Sequence, residues 1–263
     1  MDAQSRIIAI ANQKGGVGKT TTTLTLGAAL VERGRSVLLV DLDPQSSLTI
    51  SLGIDGEGNS MHEVLGSTEP GTKTLRDIVQ QIAPRFYLAP GDIALSRSES
   101  GLMVRIGREQ ILQHVLSSVR FDYVLIDCLP SLGILTVNAL IASHEVLIPT
   151  VCEYLALRGI ALFYRTIDEV KVINPSLSVL GILPTFVDER LLHTREVLEV
   201  MRERDLPVLD IHIGRSVRFA ESALAGESIL DYARTHPGAD AYRQLAAFIE
   251  GEEPSDDHGD TEP

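Results

Sequence analysis

The residues with the clearest chemical potential lie near the start of the chain, in the run Lys14-Gly15-Gly16-Val17-Gly18-Lys19-Thr20-Thr21. A β-branched segment over Arg6–Asn12 precedes this run, and an apolar pattern typical of a helix follows it over Lys19–Arg33. A phosphate-binding loop requires this order, because glycines let backbone N–H groups curve around phosphate oxygens at the positive end of a helix. Lys19 would then reach the β- and γ-phosphates, and the Thr20 hydroxyl would lie on Mg²⁺.

The spacing of this loop differs from the common G-x-x-x-x-G-K-[ST] pattern. Gln13 stands where that pattern has its first glycine, and a second lysine, Lys14, stands early in the loop. An ordinary glycine-rich turn is the alternative interpretation. The Gly-Lys-Thr triplet, the strand before it and the helix after it all favour the phosphate loop, so the sequence predicts that residues 14–21 bind a nucleotide.

A pair of aspartates closes the second predicted strand, Ser36–Leu42, in the run Asp41-Leu42-Asp43-Pro44-Gln45. In a parallel sheet, the carboxyl ends of neighbouring strands face the same crevice as the phosphate loop. We therefore expect Asp43 to lie beside the γ-phosphate and to position the attacking water. The alternative is that both aspartates are polar residues that end a strand, with no part in the chemistry.

A further carboxylate, Asp127, ends the apolar segment Tyr123–Asp127. A strand that ends in an aspartate is the usual way to present a magnesium ligand, which binds the ion directly or through water. An aspartate in this position is common in any α/β protein. Its combination with the loop around Lys19 is what indicates a magnesium site.

Composition places the chain among acidic globular proteins. It has 263 residues, 44% of them hydrophobic, and a net charge of −13. No apolar run reaches the ~18 residues of a membrane-spanning helix, and Met1–Ser5 lacks the layout of a signal peptide, so we expect a cytoplasmic protein. Seven acids lie from Glu250 onward without a lysine or arginine, and residues 251–263 are predicted to be a disordered acidic tail after one nucleotide-binding domain over residues 1–250. Cys128 and Cys152 are expected to be buried, reduced thiols.

Short β-branched segments alternate with longer amphipathic ones along the whole chain. This alternation predicts an α/β fold with a doubly wound, mainly parallel sheet and helices on both faces. The stretch Ser46–Thr74 is expected to be a mobile surface segment. The other predicted strands are Phe86–Ala89, Glu145–Thr150, Ser178–Pro184 and Val208–Ile213, and the other predicted helices are Leu75–Ile82, Gly101–Val119, Ile134–Ala142, Ala156–Ile173, Arg190–Arg204, Ser216–Ala225 and Ala239–Ile249.

The run from Lys14 to Thr21 resembles the deviant Walker A motif of the ParA/MinD ATPases, a family with the P-loop NTPase fold. The resemblance implies ATP and Mg²⁺ as cofactors, with Thr20, Asp43 and Asp127 at the metal. It also implies that Lys14 crosses the interface of an ATP-bound homodimer to the nucleotide of the partner subunit. In that family Asp41–Gln45 corresponds to switch I, and the loop that begins at Pro184 contributes to the adenine pocket.

Two further segments carry the resemblance toward the end of the chain. Cys152–Gly159 is similar to a family segment near the dimer interface, although Arg158 replaces a glutamate. Gly214–Glu221, with Arg215 and Arg218, is similar to a segment whose basic residues contact DNA in the family, and Arg190 falls in a D-x-R run. The implied function is partitioning of a chromosome or plasmid by a nucleoid-associated ATPase, with non-specific double-stranded DNA and a ParB-like activating protein as partners.

Other functions remain open at this point. A relative that positions a cargo other than DNA would have the same sequence features. A MinD-like membrane-surface ATPase would need a basic amphipathic helix at its end, and the acidic tail would instead be repelled by anionic lipid, so no stable membrane association is expected. An electron carrier similar to the nitrogenase iron protein would need Cys128 and Cys152 at cluster-binding positions, which their surroundings disfavour.

Overall fold

The computed structural model describes residues 5–66, 73–188 and 190–252. The predicted acidic tail therefore lies outside the described residues from residue 253 onward. The strands, numbered in chain order, are β1 (Arg6–Ile10), β2 (Val37–Asp41), β3 (Gln80–Ala83), β4 (Phe86–Ala89), β5 (Tyr123–Asp127), β6 (Glu145–Val151), β7 (Ser178–Val187) and β8 (Ile213–Gly214).

Helices occupy most of the connections between these strands, and one 3₁₀ turn spans Arg108–Gln110. None of the described helices combines the length and the apolar character that crossing a bilayer would require. The α-helices are α1 (Lys19–Glu32), α2 (Ser47–Ser51), α3 (Met61–Leu65), α4 (Leu75–Ile78), α5 (Leu95–Leu102), α6 (Ile111–Leu116), α7 (Ile134–Ala142), α8 (Tyr154–Lys171), α9 (Leu192–Glu203), α10 (Arg218–Ala225), α11 (Ile229–Tyr232) and α12 (Pro237–Ile249).

The strands form one sheet in the order β3-β4-β2-β5-β1-β6-β7-β8. All neighbouring pairs are parallel except β3 and β4. The predicted mainly parallel α/β fold is confirmed. β1 lies between β5 and β6, so strand order reverses around it, and the phosphate loop that follows β1 opens at the switch point where such sheets bind ligands.

Alternate side chains of the central strands enter two separate hydrophobic cores. Along β1, Ile8 and Ile10 belong to the core beneath α1 and α12, whereas Ala9 belongs to the core on the opposite face, which includes side chains of α7 and α8. All three side chains are fully buried. A strand covered on both faces must be apolar at successive positions, which explains the continuous apolar runs of the sequence.

Two predicted helices are wrong in the middle of the chain. The expected helix Leu75–Ile82 ends at Ile78, because Val79 is extended and Gln80–Ala83 pairs antiparallel with β4 instead. The expected helix Gly101–Val119 is divided between α5 and α6, with Gly107 in the left-handed region (φ 67°) between them. In both places a residue with a non-helical backbone conformation interrupts the predicted helix, although the pattern of apolar residues continues beyond it.

The stretch Ser46–Thr74 was also predicted wrongly as a surface segment, as far as it lies within the described residues. The side chains of Leu48 in α2 and of Met61 and Leu65 in α3 are fully buried. The polar and glycine-rich composition of this stretch gave no indication that these few apolar side chains are buried. The predicted strand Val208–Ile213 is likewise reduced to Ile213–Gly214 and an isolated bridge from Val208 to β7.

A buried hydrogen bond joins the helix after the phosphate loop to the last helix of the fold. The hydroxyl oxygens of Thr22 in α1 and Tyr242 in α12 are 2.9 Å apart, and both side chains are fully buried. Because a buried hydroxyl without a partner is costly, this contact fixes α12 against α1.

We expect Tyr242→Phe to lower the free energy of unfolding by about 1–2 kcal/mol, because it leaves the Thr22 hydroxyl without its partner. The double variant Thr22→Val, Tyr242→Phe should lose less than the two single variants together, since it removes both partners. Urea unfolding of the three variants and the wild type measures this difference. Strictly additive losses would contradict the coupling.

Candidate functional site

The loop between β1 and α1 has the backbone shape of an anion cradle. Gly16 (φ 70°) and Gly18 (φ 87°) both adopt left-handed conformations, which residues with a side chain rarely do. α1 begins at Lys19, directly after Gly18, so the free N–H groups of its first turn open into the loop. The geometry explains why glycines stand at positions 16 and 18.

Side chains from neighbouring strands hold this loop in place. The Asn12 amide donates to the carbonyl of Pro149 in β6 at 2.8 Å and accepts from Lys14 N at 3.0 Å. The Thr185 hydroxyl in β7 donates to the carbonyl of Val17 at 2.9 Å. Pro184, expected near the adenine, is buried in β7 immediately before Thr185. The cradle is therefore attached to the two strands that follow β1 on one side of the sheet.

Lys19 is the cation of the site. Its side chain is buried, and its ammonium donates to the carbonyl of Lys14 at 3.1 Å. Burial lowers the pKa of Lys19, while the negative charges of Asp127 and Asp43 act in the opposite direction. A buried ammonium that faces two carboxylates is held close to where phosphate oxygens would enter the loop.

Asp127 ends β5 as a fully buried carboxylate. Its Oδ1 is 3.5 Å from the Thr23 hydroxyl, and its Oδ2 accepts no hydrogen bond from the described residues. Burial raises the pKa of Asp127 well above its usual range, the charge of Asp41 raises it further, and the Thr20 hydroxyl and Lys19 lower it. A buried carboxylate oxygen without a partner fits a divalent cation or one of its waters, so these residues suit Mg²⁺.

Asp43 lies in the loop after β2 and completes the group. Its Oδ1 accepts from Gln45 N at 2.9 Å. Its charge acts on Lys19 and on Asp127, which places it within electrostatic reach of both. The structure thus brings together Lys19, Asp43 and Asp127, three residues far apart in the sequence.

The Lys14 ammonium has a different partner from the Lys19 ammonium. Its ammonium forms an ion pair with the Glu153 carboxylate at 2.5 Å, just before α8, and both side chains are exposed to solvent. Next to this pair is a cleft of about 400 Å³ that Arg158 and Leu155 help to line. Lys14 therefore occupies the outer side of its own loop.

The three arginines expected to bind DNA lie at the same end of the sheet, in loops and at a helix start. Val187 and Gly214 are register partners of β7 and β8, which brings Arg190 and Arg215 to neighbouring loops. Arg190 forms a bidentate ion pair with Asp188, and Arg190 first and Arg215 more weakly lower the pKa of Asp188 to about 2.

The predicted starts of two helices beside these arginines are wrong. Arg190 does not open a helix, because α9 begins at Leu192. The helix predicted from Ser216 begins only at Arg218, and Arg215 follows β8 directly, so Arg215 and Arg218 do not lie on one helix. Arg218 pairs with Glu221 at 2.8 Å, whereas Arg215 forms no ion pair with any described residue.

Comparison with known proteins agrees with this geometry. A family described as an AAA domain matches residues 5–179. An uncharacterised protein of Mycobacterium tuberculosis is 47% identical over 249 residues, covering 92% of this chain and 77% of that protein. The chromosome-partitioning ATPase Soj of Thermus thermophilus is 42% identical, covering 94% of this chain and 96% of Soj.

The chain belongs to the ParA/Soj family of partitioning ATPases. A crystal structure titled cobyrinic acid a,c-diamide synthase from Mycobacterium smegmatis, with bound ADP and magnesium, shares the fold of this ParA/Soj-type chain with a TM-score of 0.81 and 43% identity, covering 95% of this chain and 97% of that one. This member of the ParA/Soj family is accordingly an ATPase that uses ATP and Mg²⁺.

The arrangement can divide the work of phosphoryl transfer among its parts. Backbone N–H groups of the loop and the Lys19 ammonium can hold the phosphates in one position. The Thr20 hydroxyl and the Asp127 carboxylate could hold Mg²⁺, which would offset the negative charge of the phosphates. The Asp43 carboxylate can accept a hydrogen bond from a water molecule and orient it toward the γ-phosphate.

No role of its own was predicted for two carboxylates near this site. Glu153 pairs with Lys14, and Asp41 accepts a hydrogen bond from the backbone N–H of Asp43. The D-x-D spacing was a visible signal for Asp41. For Glu153 the chain offered only its resemblance to a family segment, since a contact between residues 139 positions apart is set by the fold.

We expect Asp43→Ala to slow ATP hydrolysis by roughly 10²-fold or more while ATP binding is retained, because the change removes a group that orients water but does not hold phosphate. Titration calorimetry with ATP and Mg²⁺ and a phosphate-release assay check both parts. Lys19→Ala is the control, since it should lose ATP binding as well. Wild-type turnover in Asp43→Ala would contradict the role given to Asp43.

Proposed function

We propose that this chain is a DNA-partitioning ATPase that dimerises when it binds ATP. The dimer binds double-stranded DNA without sequence preference, and a ParB-like protein stimulates hydrolysis and release. The protein works in the cytoplasm on the nucleoid. The observation that carries this proposal is the separation of the two loop lysines: Lys19 is buried inside the cradle, whereas Lys14 lies outside it on Glu153.

A lysine on the outer side of its own loop is available to a second subunit. The surface around it supports a dimer, because apolar side chains of α8 are exposed there. Tyr154 and Leu155 at the start of the helix are 74% and 70% exposed, and Leu162 further along the same helix is 47% exposed. Apolar groups this exposed favour association. On ATP binding, Lys14 leaves Glu153 and contacts the nucleotide of the partner subunit.

The remaining site residues have the following proposed roles. Residues 15–18, with Lys19 and Thr21, hold the phosphates, and the loop that begins at Pro184 lies beside the base. Thr20 and Asp127 bind Mg²⁺, and Asp43 stands between the metal and the attacking water. Support for these roles comes from the cluster of Lys19, Asp43 and Asp127 at the carboxyl edge of the sheet.

The DNA surface is proposed at the ends of β7 and β8, where Arg190, Arg215 and Arg218 lie in neighbouring segments. Two of the three arginines are paired with carboxylates of their own subunit. Exposed ion pairs of this kind are screened by solvent and contribute little to stability, so a DNA phosphate can replace the carboxylate. One subunit has little net charge at this surface, and a dimer is needed to gather enough phosphate contacts.

The role of Lys14 can be tested by mixing variants. Lys14→Ala should still bind ATP, because Lys14 is outside its own cradle, but it should fail to dimerise or to hydrolyse ATP. In a mixture with Asp43→Ala, each mixed dimer retains one Lys14 and one Asp43, on different subunits. If Lys14 crosses the interface, these two residues serve the same nucleotide, so the mixture should dimerise and hydrolyse ATP although Lys14→Ala alone does not. Sizing chromatography measures dimerisation, and ATPase assays of each variant and of the mixture measure hydrolysis. A Lys14→Ala protein that dimerises and hydrolyses ATP normally would rule out the crossing.

DNA binding should require ATP, ignore sequence and weaken steeply with salt. About six phosphate contacts in a dimer predict a salt slope near −5. Arg215→Ala with Arg218→Ala should abolish binding and leave ATP-driven dimerisation intact. Arg202→Ala with Arg204→Ala is the matched control, because these exposed arginines lie at the end of α9. Mobility-shift titrations on unrelated duplexes, with ATP and with ADP, measure each effect, and equal binding with ADP would refute the model of an ATP-dependent dimer.

A further inference from the structure

Asp41 is a buried carboxylate that accepts hydrogen bonds both from the loop of Asp43 and from α2. Its Oδ1 accepts from the backbone N–H of Asp43 at 3.1 Å. Its Oδ2 accepts from Thr49 twice, from the backbone N–H at 3.0 Å and from the hydroxyl at 2.7 Å. Asp41 and Thr49 are both almost completely inaccessible to solvent, so water does not compete for these hydrogen bonds.

Thr49 extends the network to the segment after β4. Its hydroxyl accepts from the backbone N–H of Gly91 at 2.9 Å while it donates to Asp41. There is no room for a side chain at position 91, where a Cβ would lie 2.9 Å from Cγ of Asp41. One carboxylate and one hydroxyl therefore tie together the end of β2, the short helix α2 and the loop after β4.

Apart from the bond from the backbone N–H of Leu42 to the carbonyl of Asp127 at 3.1 Å, the loop that carries Asp43 is held mainly by local bonds. Asp43 accepts from Gln45 N through its side chain and from Ser46 N at 2.8 Å through its carbonyl. These two bonds shape the turn and do not attach it to the sheet. The bond from Asp43 N to Asp41 does attach it, at the residue whose position matters for hydrolysis.

The geometry points to Asp41 and Thr49 as positioning residues, a latch that holds Asp43 where it can orient the attacking water. Neither residue is needed to bind ATP. The inference rests on the role proposed for Asp43. A displacement of about 1 Å at a reacting group can cost up to ~10²-fold in rate, so loosening the latch should lower turnover and leave nucleotide affinity nearly unchanged.

The primary test replaces the Thr49 hydroxyl. Thr49→Val keeps the β-branched shape but cannot donate to Asp41, and we expect kcat to fall roughly 10-fold with KM for ATP within about twofold of the wild type. Thr49→Ser keeps the hydroxyl and should recover most of the rate. Ser51→Ala is the matched control, because the Ser51 hydroxyl donates only within α2, to the carbonyl of Leu48 at 2.8 Å.

Asp41→Asn is the second variant, for the case that Thr49→Val fails to fold. Its amide keeps the size of the carboxylate but replaces one accepting oxygen with a donor, so it should also lower kcat and spare KM. Circular dichroism and urea unfolding establish that each variant is folded before its kinetics are compared. A folded variant with unchanged kcat, or with ATP affinity lost in parallel with kcat, would overturn the latch.

A double-variant cycle separates the latch from the role of Asp43. If Thr49 acts through Asp43, Thr49→Val should slow single-turnover hydrolysis in the wild-type background and add nothing in the Asp43→Ala background. The same slowing in both backgrounds would overturn the latch and leave Asp43 its role. Wild-type turnover in Asp43→Ala itself would remove the role of Asp43 and the latch with it.

Discussion

The site depends on an electrostatic constraint at the carboxyl edge of the sheet. Asp41 and Asp127 are register partners on neighbouring parallel strands, both fully buried, and Asp43 follows within reach of them. Burial, together with the charge of Asp43, raises the pKa of Asp41 to about 6. Like charges this close are stable only with cations or strong donors beside them. Lys19 and the threonine hydroxyls supply these, and a magnesium ion would add a further positive charge.

The two loops of the site are attached to different strands of the sheet. The phosphate loop is bonded to β6 and β7 through Asn12 and Thr185, whereas the loop of Asp43 is bonded to β2 through Asp41. Different strands therefore hold the phosphate loop and Asp43, the residue proposed to orient water. A nucleotide between the two loops would connect them, so the protein would have a physical basis for a conformation that depends on ATP.

Charge pairing also shapes the outer surface of this acidic chain. Lys14, Arg190 and Arg218 each pair with a carboxylate of the same subunit. Exposed pairs of this kind are weak and exchange partners readily. Arg158, which replaces a glutamate of the family pattern, is exposed beside the cleft near Lys14.

The sequence by itself determined the α/β class, the phosphate loop and the carboxylates Asp43 and Asp127, because these depend on local patterns: a glycine loop before a helix, and acids at the ends of apolar strands. It did not determine the helix boundaries near Ile78 and Gly107 or the buried anchors of α2 and α3, where a few side chains outweigh the average composition. Only the tertiary structure decided the pairing of Lys14 with Glu153 and of Asp41 with Thr49, because strand order and loop packing choose which distant charges meet.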